Sequence, residues 1–267
     1  MSEVGKKSVP CAYFGEGNEC KESYFEHIYC MIKVWEAVRP YYVKALRRAT
    51  GVRDPDRLMR LSFLAHDAGK LLEAYRTNKS KFRHELIGAY VAYKLIETEA
   101  ERAKDDKERD AISKAAYLFS TAVLLHHESI ILSVYAGEYG ERFIPLSTIR
   151  KVLEEFRDKL RPYAKLRDDR ALKLLGMEKD VERMEHLVDS LNADEVYNVI
   201  VSLVTRASEE SDALVFRNRV ATVQHALVLV DSVAANSHRG GGSDEGTWIT
   251  RMAEKGAELP KEVKCNA

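Results

Sequence analysis

Apolar residues recur at intervals of three and four along almost the whole chain, and few stretches alternate with period two. That periodicity belongs to amphipathic helices rather than half-buried strands, and it predicts an all-α fold. The first helix is predicted from about Glu22 to Arg48, with Tyr24, His27, Ile28, Met31, Val34 and Trp35 on one stripe and Pro40 bending or interrupting it. Asp54-Pro55 reads as an N-cap and first-turn proline. It opens a helix that turns Leu58, Leu61 and Ala65 inward, ends near Gly69 and carries His66-Asp67 on its last turn. A third helix starts close to His84, with Ile87, Gly88, Val91 and Leu95 on its stripe. The polar run Glu99 to Asp110 separates it from a fourth, whose apolar segment Tyr117 to Leu125 leads into His126-His127.

Ser129 to Pro145 reads as an irregular excursion, followed by a helix from a cap at Ser147 to Leu160. Val196 to Val204 and Ala213 to Val233 read as buried helices that return to the core. A chain of 267 residues can bury one large core, and residues 1–236 are expected to form a single domain. Residues 237–267 begin with SHRGGGSDEG and are expected to be a polar, flexible segment or lid with a C-terminal tail.

The 42 Lys plus Arg and 42 Asp plus Glu cancel, which excludes the broad basic footprint of a protein that grips duplex DNA by electrostatics alone. No apolar run approaches the roughly 20 residues that cross a bilayer, and the N-terminus lacks a signal-peptide core. A cytoplasmic protein with no membrane partner is expected. Cys11, Cys20, Cys30 and Cys265 form no CxxC pair, so free thiols are the expectation. Gln224 is the only glutamine in this charge-rich chain, a composition that leans towards thermophiles and leaves a Cys11–Cys20 bridge open.

His27, His66, His84, His126 and His127 each fall at an apolar helical position or where a helix ends. Any one of them reads as a core histidine satisfied by a hydrogen bond. Together they point to a shared metal site, because each unpaired buried polar group costs about 1–3 kcal/mol. Adjacent residues on a helix point about 100° apart, so His126 and His127 do not readily serve one ion, and two neighbouring ions fit better. The same holds for His66-Asp67, where the carboxylate can bridge two cations. Asp231, inside the apolar run Leu227 to Val233, is the candidate further carboxylate, with a solvated helix edge as the alternative. Asp189, Asp212, His186, His225 and His238 read as caps, surface or tail.

In order, His27, His66-Asp67-Ala68-Gly69-Lys70, His84, His126-His127 and Asp231 resemble the HD superfamily of metal-dependent phosphohydrolases. The HDxGK doublet and the His-His pair look like the HD nuclease of type I CRISPR interference, over about residues 20–236. No GxxxxGK[ST] loop follows, so the stand-alone nuclease subunit is the form resembled. The resemblance implies two divalent metals, one on His27, His66 and Asp231, the other on His84, His126 and His127, with Asp67 bridging. It implies Lys70 as a catalytic group that stabilises charge near the scissile phosphate; a helix-end lysine favoured by the macrodipole is the alternative. The long interval from His127 to Asp231 departs from the family pattern. Two ions about 3.5–4 Å apart activate water and neutralise the leaving oxygen. Imidazole-rich ligands favour Mn, Ni, Co or Fe over Mg.

Single-stranded DNA as substrate, and a separate helicase and RNA-guided surveillance complex as partners, likewise follow from the resemblance. Arg76, Lys79, Lys81 and Arg83 lie in the loop before His84 and are candidate phosphate contacts, with Tyr75 and Phe82 as base-stacking candidates. Two rival readings remain. One is an HD phosphohydrolase acting on a nucleotide or cyclic dinucleotide; His126-His127-Glu128 suits the cyclic-di-GMP enzymes, but Ser129-Ile130-Ile131-Leu132 stands where their DGxGYP segment belongs. The other is a helical binding module with a structural metal.

Overall fold

A computed structural model describes residues 9–15, 19–127, 146–165, 176–208 and 211–238. The all-α expectation holds, with one addition: a short antiparallel hairpin, β1 (Cys11–Phe14) and β2 (Cys20–Ser23), precedes the helices. Four-residue strands are too short to display a period of two, so nothing in the pattern announced them. Cys11 and Cys20 close the hairpin as a disulfide with Cα atoms 5.7 Å apart, which overturns the free-thiol expectation. Cys11 is fully buried.

Helix α1 (Tyr24–Thr50) opens on a capping box: the Ser23 side chain accepts from the Glu26 N–H, and the Glu26 carboxylate accepts from the Ser23 N–H. Gly51, at φ 73°, ends it in the left-handed conformation. Pro40 does not interrupt α1. Its missing N–H falls on a solvent-facing side shared with Glu36, where the freed carbonyl can be hydrated. Tyr24, His27, Ile28, Met31, Val34 and Trp35 are all buried, as the stripe predicted.

Helix α2 (Asp56–Ala65) starts one residue later than predicted, with Pro55 at the cap, and it ends before the histidine. His66 and Asp67 form a turn, and Ala68–Leu71 continue as a 3-10 helix. Then come α3 (Glu73–Thr77), α4 (His84–Glu101) and α5 (Asp106–Leu124). Only residues 102–105 part α4 from α5, because Asp105 caps α5 by accepting from the Glu108 N–H and draws most of the polar run into helix.

The rest are α6 (Leu146–Glu155), α7 (Glu178–Asp189), α8 (Ala193–Ser208) and α9 (Ala213–His238). The predicted helix to Leu160 stops at Glu155 and gives way to a 3-10 turn, Arg157–Lys159. The 129–145 excursion and most of the 237–267 segment lie outside the described residues, while α9 itself extends to His238.

Long contacts run between α4 and α5 and between α1 and α9, and α9 also packs on α5. The turn after α2 lies against α4 at backbone distance. A Cβ on Gly69 would sit 2.3 Å from the His84 carbonyl oxygen, and one on Gly88 would sit 2.2 Å from that of His66. These are contacts with main chain, which no rotamer change relieves. Gly88→Ala should therefore lower the unfolding free energy by about 1–3 kcal/mol, as overpacking does. Guanidinium denaturation checks this, and unchanged stability would mean that α4 can shift away from the turn.

Candidate metal centre

The close approach of the turn and α4 brings together side chains from five places. His27 comes from the second turn of α1, His66 and Asp67 from the turn after α2, and His84 from the first residue of α4. His126 and His127 follow the end of α5, and Asp231 lies on α9. Their ligand atoms form three overlapping groups, each within 4.8 Å: Asp67 with His84, His126 and His127; His27 with His66 and Asp67; and His66 with His126 and Asp231. Every metal candidate read from the sequence is present.

One geometric expectation is corrected. Helix α5 ends at Leu124, so the 100° rule does not apply to His126 and His127, and both turn into the same group. Their ring centroids are 3.9 Å apart.

Local hydrogen bonds fix how the imidazoles face. His66 Nδ1 lies 2.8 Å from the Phe63 carbonyl, and His126 Nδ1 lies 2.6 Å from that of Val123. The same three-residue reach to a carbonyl of the preceding helix makes Nδ1 the donor in both rings and turns Nε2 inward. His27 is held from both sides, by Glu22 Oε1 at 2.9 Å and Asp231 Oδ1 at 3.0 Å. His84 Nε2 is 3.2 Å from Asp67 Oδ1 and 3.1 Å from His127 Nε2. Lys70 is 2.7 Å from Asp67 Oδ2.

Among the described residues, His66 Nε2, Asp67 Oδ1 and His126 Nε2 are buried and make no hydrogen bond. All are atoms that ligate cations, and each belongs to one or more of the overlapping groups, so cations held there would satisfy them. Nitrogen and carboxylate donors in this ratio suit first-row transition ions. The residues fit the metal that the resemblance implies.

The two sides of the cluster differ electrostatically. Burial works against a charged His66, but the carboxylates of Asp67 and Asp231 outweigh it and hold the ring up at about 10. His27 is raised against burial in the same way by Asp231 and Glu22. Burial pushes His126 well below its ordinary value, and the neighbouring His127 and His66 push further; His127 is lowered by burial and by His84. Asp67 stays far down despite burial because of His66 and Lys70, and Asp231 because of His27 and His66.

Sequence reasoning missed two supporting residues. Glu22, on β2, is buried against His27; a glutamate at a predicted helix start gives no such signal. Gln224 on α9 donates to the Leu125 carbonyl at 2.7 Å and steadies the chain just before His126-His127. Its being the only glutamine was the available hint.

The loop candidates separate. Lys81 pairs with Glu155 at 3.7 Å and Arg83 with Glu85, whereas Arg76 and Lys79 lie over the rings of Tyr163 and Phe14. Phe82 is corrected: it is 2% exposed and packs on Phe156, so it cannot stack a base. Tyr75 meets His84 edge-on, with centroids 5.3 Å apart. His186 lies on α7, and His225 is 2.8 Å from the Tyr42 hydroxyl, in keeping with structural readings. No described helix is long and apolar enough to cross a membrane.

No protein-family model matches the chain. The CRISPR-associated endonuclease Cas3-HD of Thermoproteus tenax is 35% identical over 244 residues, 90% of this chain and 95% of that protein. Proteins of the same name from Pyrococcus furiosus and Methanocaldococcus jannaschii are 27% and 23% identical, over 80% and 82% of this chain and 89% and 88% of their own. The solved structure of a CRISPR-associated Cas3 HD domain protein from Methanocaldococcus jannaschii superposes with a TM-score of 0.56 at 21% identity. It covers 83% of this chain and 100% of that one, so the fold is shared.

A ligating imidazole must give up its proton, so His66, protonated up to about pH 10 in the metal-free cluster, makes metal binding a proton-releasing event. Calorimetric titration of manganese into chelator-stripped protein at pH 7.5, in buffers of different ionisation enthalpy, should show net proton release that is smaller in His66→Gln. Binding without release would place the ion elsewhere. In the metal-free protein the sign is set by a raised pKa. Stability from the His66 ion pairs is complete below the ordinary value of 6.5 and is lost as pH rises through about 10.

Proposed function

The chain belongs to the Cas3-HD family of CRISPR-associated endonucleases, and on that footing we propose that it cuts single-stranded DNA with two divalent ions during CRISPR interference, beside a separate helicase and an RNA-guided surveillance complex. It is a metal-dependent HD nuclease by family. The observation that carries the finer reading is the orientation of Asp67. Oδ2 faces His66 at 3.4 Å, while Oδ1 faces His84 at 3.2 Å and His126 at 3.9 Å. One carboxylate thus serves two sets of imidazoles, the arrangement a bridging ligand needs.

In this reading His27, His66 and Asp231 hold one ion, His84, His126 and His127 hold the other, and Asp67 lies between. Divalent ions so held supply the Lewis acidity that activates water and offsets charge on the phosphate. Mn, Ni, Co or Fe fit the imidazole-rich set better than Mg. His66 and His126 form the buried floor, while His127 is exposed and the Asp231 side chain is 21% exposed, so substrate approaches from their side. A floor below the surface favours a strand that can bend towards it over a stacked duplex. Lys70, with its side chain 13% exposed, keeps a positive charge beside Asp67 on that approach.

Linear single-stranded DNA should be degraded with manganese, nickel or cobalt and no ATP, more slowly with magnesium, while intact duplex resists. Turnover of nucleoside monophosphates or cyclic dinucleotides with DNA left whole would support the rival phosphohydrolase instead.

Two variants then separate roles within the doublet. Asp67→Asn removes the charge between two cations, so metal content, read by elemental analysis, should fall from two ions per chain and cleavage should collapse. Lys70→Ala removes a cation that competes for Asp67 Oδ2, so metal content should persist. Single-turnover cleavage should slow by about 10²–10³, the usual effect of losing an electrostatic stabiliser. Wild-type rates in Lys70→Ala would reduce that lysine to a counter-ion for Asp67.

A further inference from the structure

Beside His84, three rings from separate segments meet. Tyr75 of α3 lies against His84, and Phe14 of β1 is 6.2 Å from both Tyr75 and Tyr163, centroid to centroid. All three rings are only partly buried. Arg76 lies over Tyr163 at 4.6 Å and Lys79 over Phe14 at 4.5 Å, and both cations are exposed. Among the described residues neither has a carboxylate partner, whereas Lys81 and Arg83 in the same loop do.

The rings are also held in place. The Tyr163 hydroxyl accepts from the Cys11 N–H at 2.9 Å, and the Tyr163 N–H donates to the Leu71 carbonyl at 3.1 Å. The Glu73 N–H donates to the Arg161 carbonyl at 3.0 Å, and Leu72 and Pro162 form a β-bridge. The Cys11–Cys20 disulfide closes the hairpin that carries Phe14.

We infer that Phe14, Tyr75 and Tyr163, with Arg76 and Lys79, form a track that binds single-stranded DNA and leads it to His84. This rests on the nuclease reading above and assigns it a substrate path. Rings that only filled a gap would be buried, and cations that only kept the loop soluble would not both be drawn over those rings. Alternating part-exposed rings and unpaired cations are what sequence-tolerant strand binding uses, the rings stacking bases and the cations following phosphates. Ordering by the disulfide and the main-chain bonds lowers the conformational cost of binding.

The test uses the full chain in two states. Anisotropy of a labelled oligothymidylate in EDTA reads binding without cleavage, and manganese-loaded protein reads cleavage. Phe14→Leu should weaken binding by roughly 5- to 150-fold, the loss of one stacked base. Arg76→Ala with Lys79→Ala, both at exposed positions that leave the core untouched, should reduce the slope of log affinity against log salt by about 1.4. Both should lower kcat/KM in parallel while kcat at saturating strand holds. Lys114→Ala, an exposed α5 lysine paired with Asp110, should change neither. If both variants match wild type in affinity, salt slope and kcat/KM while wild type binds and cuts the strand, the track is wrong and the nuclease reading stands. If wild type neither binds nor cuts it, both fall together.

Discussion

The contact on which the rest depends is a main-chain one. The turn holding His66 and Asp67 rests directly on the start of α4, and side chains would forbid this at Gly69 and Gly88. That approach puts His84 within 3.2 Å of Asp67, although they lie on different elements. A longer standoff would leave two half-sites with no shared carboxylate. The glycine in HDxGK is therefore a packing requirement first, and it becomes a chemical one through the distance it sets.

The approach concentrates charge in a place with little water. Three buried or part-buried carboxylates, Glu22, Asp67 and Asp231, would be unstable together with a lysine and five imidazoles unless their charges balanced. In the metal-free cluster protons help the balance: the carboxylates hold His66 and His27 above their ordinary value, while burial and neighbouring imidazoles hold His126 and His127 below it. Divalent ions held by the same residues would supply that positive charge in place of the protons.

Much of this was legible in the sequence. His27 and His84 on apolar stripes and Asp231 inside an apolar run each needed a partner, so periodicity offered them as candidates, while their grouping as ligands came from the resemblance. Orientation was another matter. The rule for adjacent residues on a helix failed for His126-His127 because α5 stops at Leu124, and helix ends are where periodicity carries least information. Phe82 looked like a loop aromatic free to stack, but Phe156, distant in sequence, claims it. Glu22 and the strands around it were invisible because four-residue strands show no period and the pairing of Cys11 with Cys20 is a tertiary fact.

The hairpin that periodicity missed is also what ties the two halves of the cluster to the surface. From β2, Glu22 orients His27 on one side; from β1, Phe14 reaches Tyr75, which lies against His84 on the other. The disulfide fixes the two strands to each other, so the Glu22 and Phe14 contacts come from one crosslinked element. A bundle alone could position the ligands through its helix packing. It would not couple their orientation to the outer face, because α1 and α4 present their histidines inward. An element outside the bundle is needed to touch both the inner ligands and the outer face, and here a short crosslinked hairpin does so with one carboxylate and one ring.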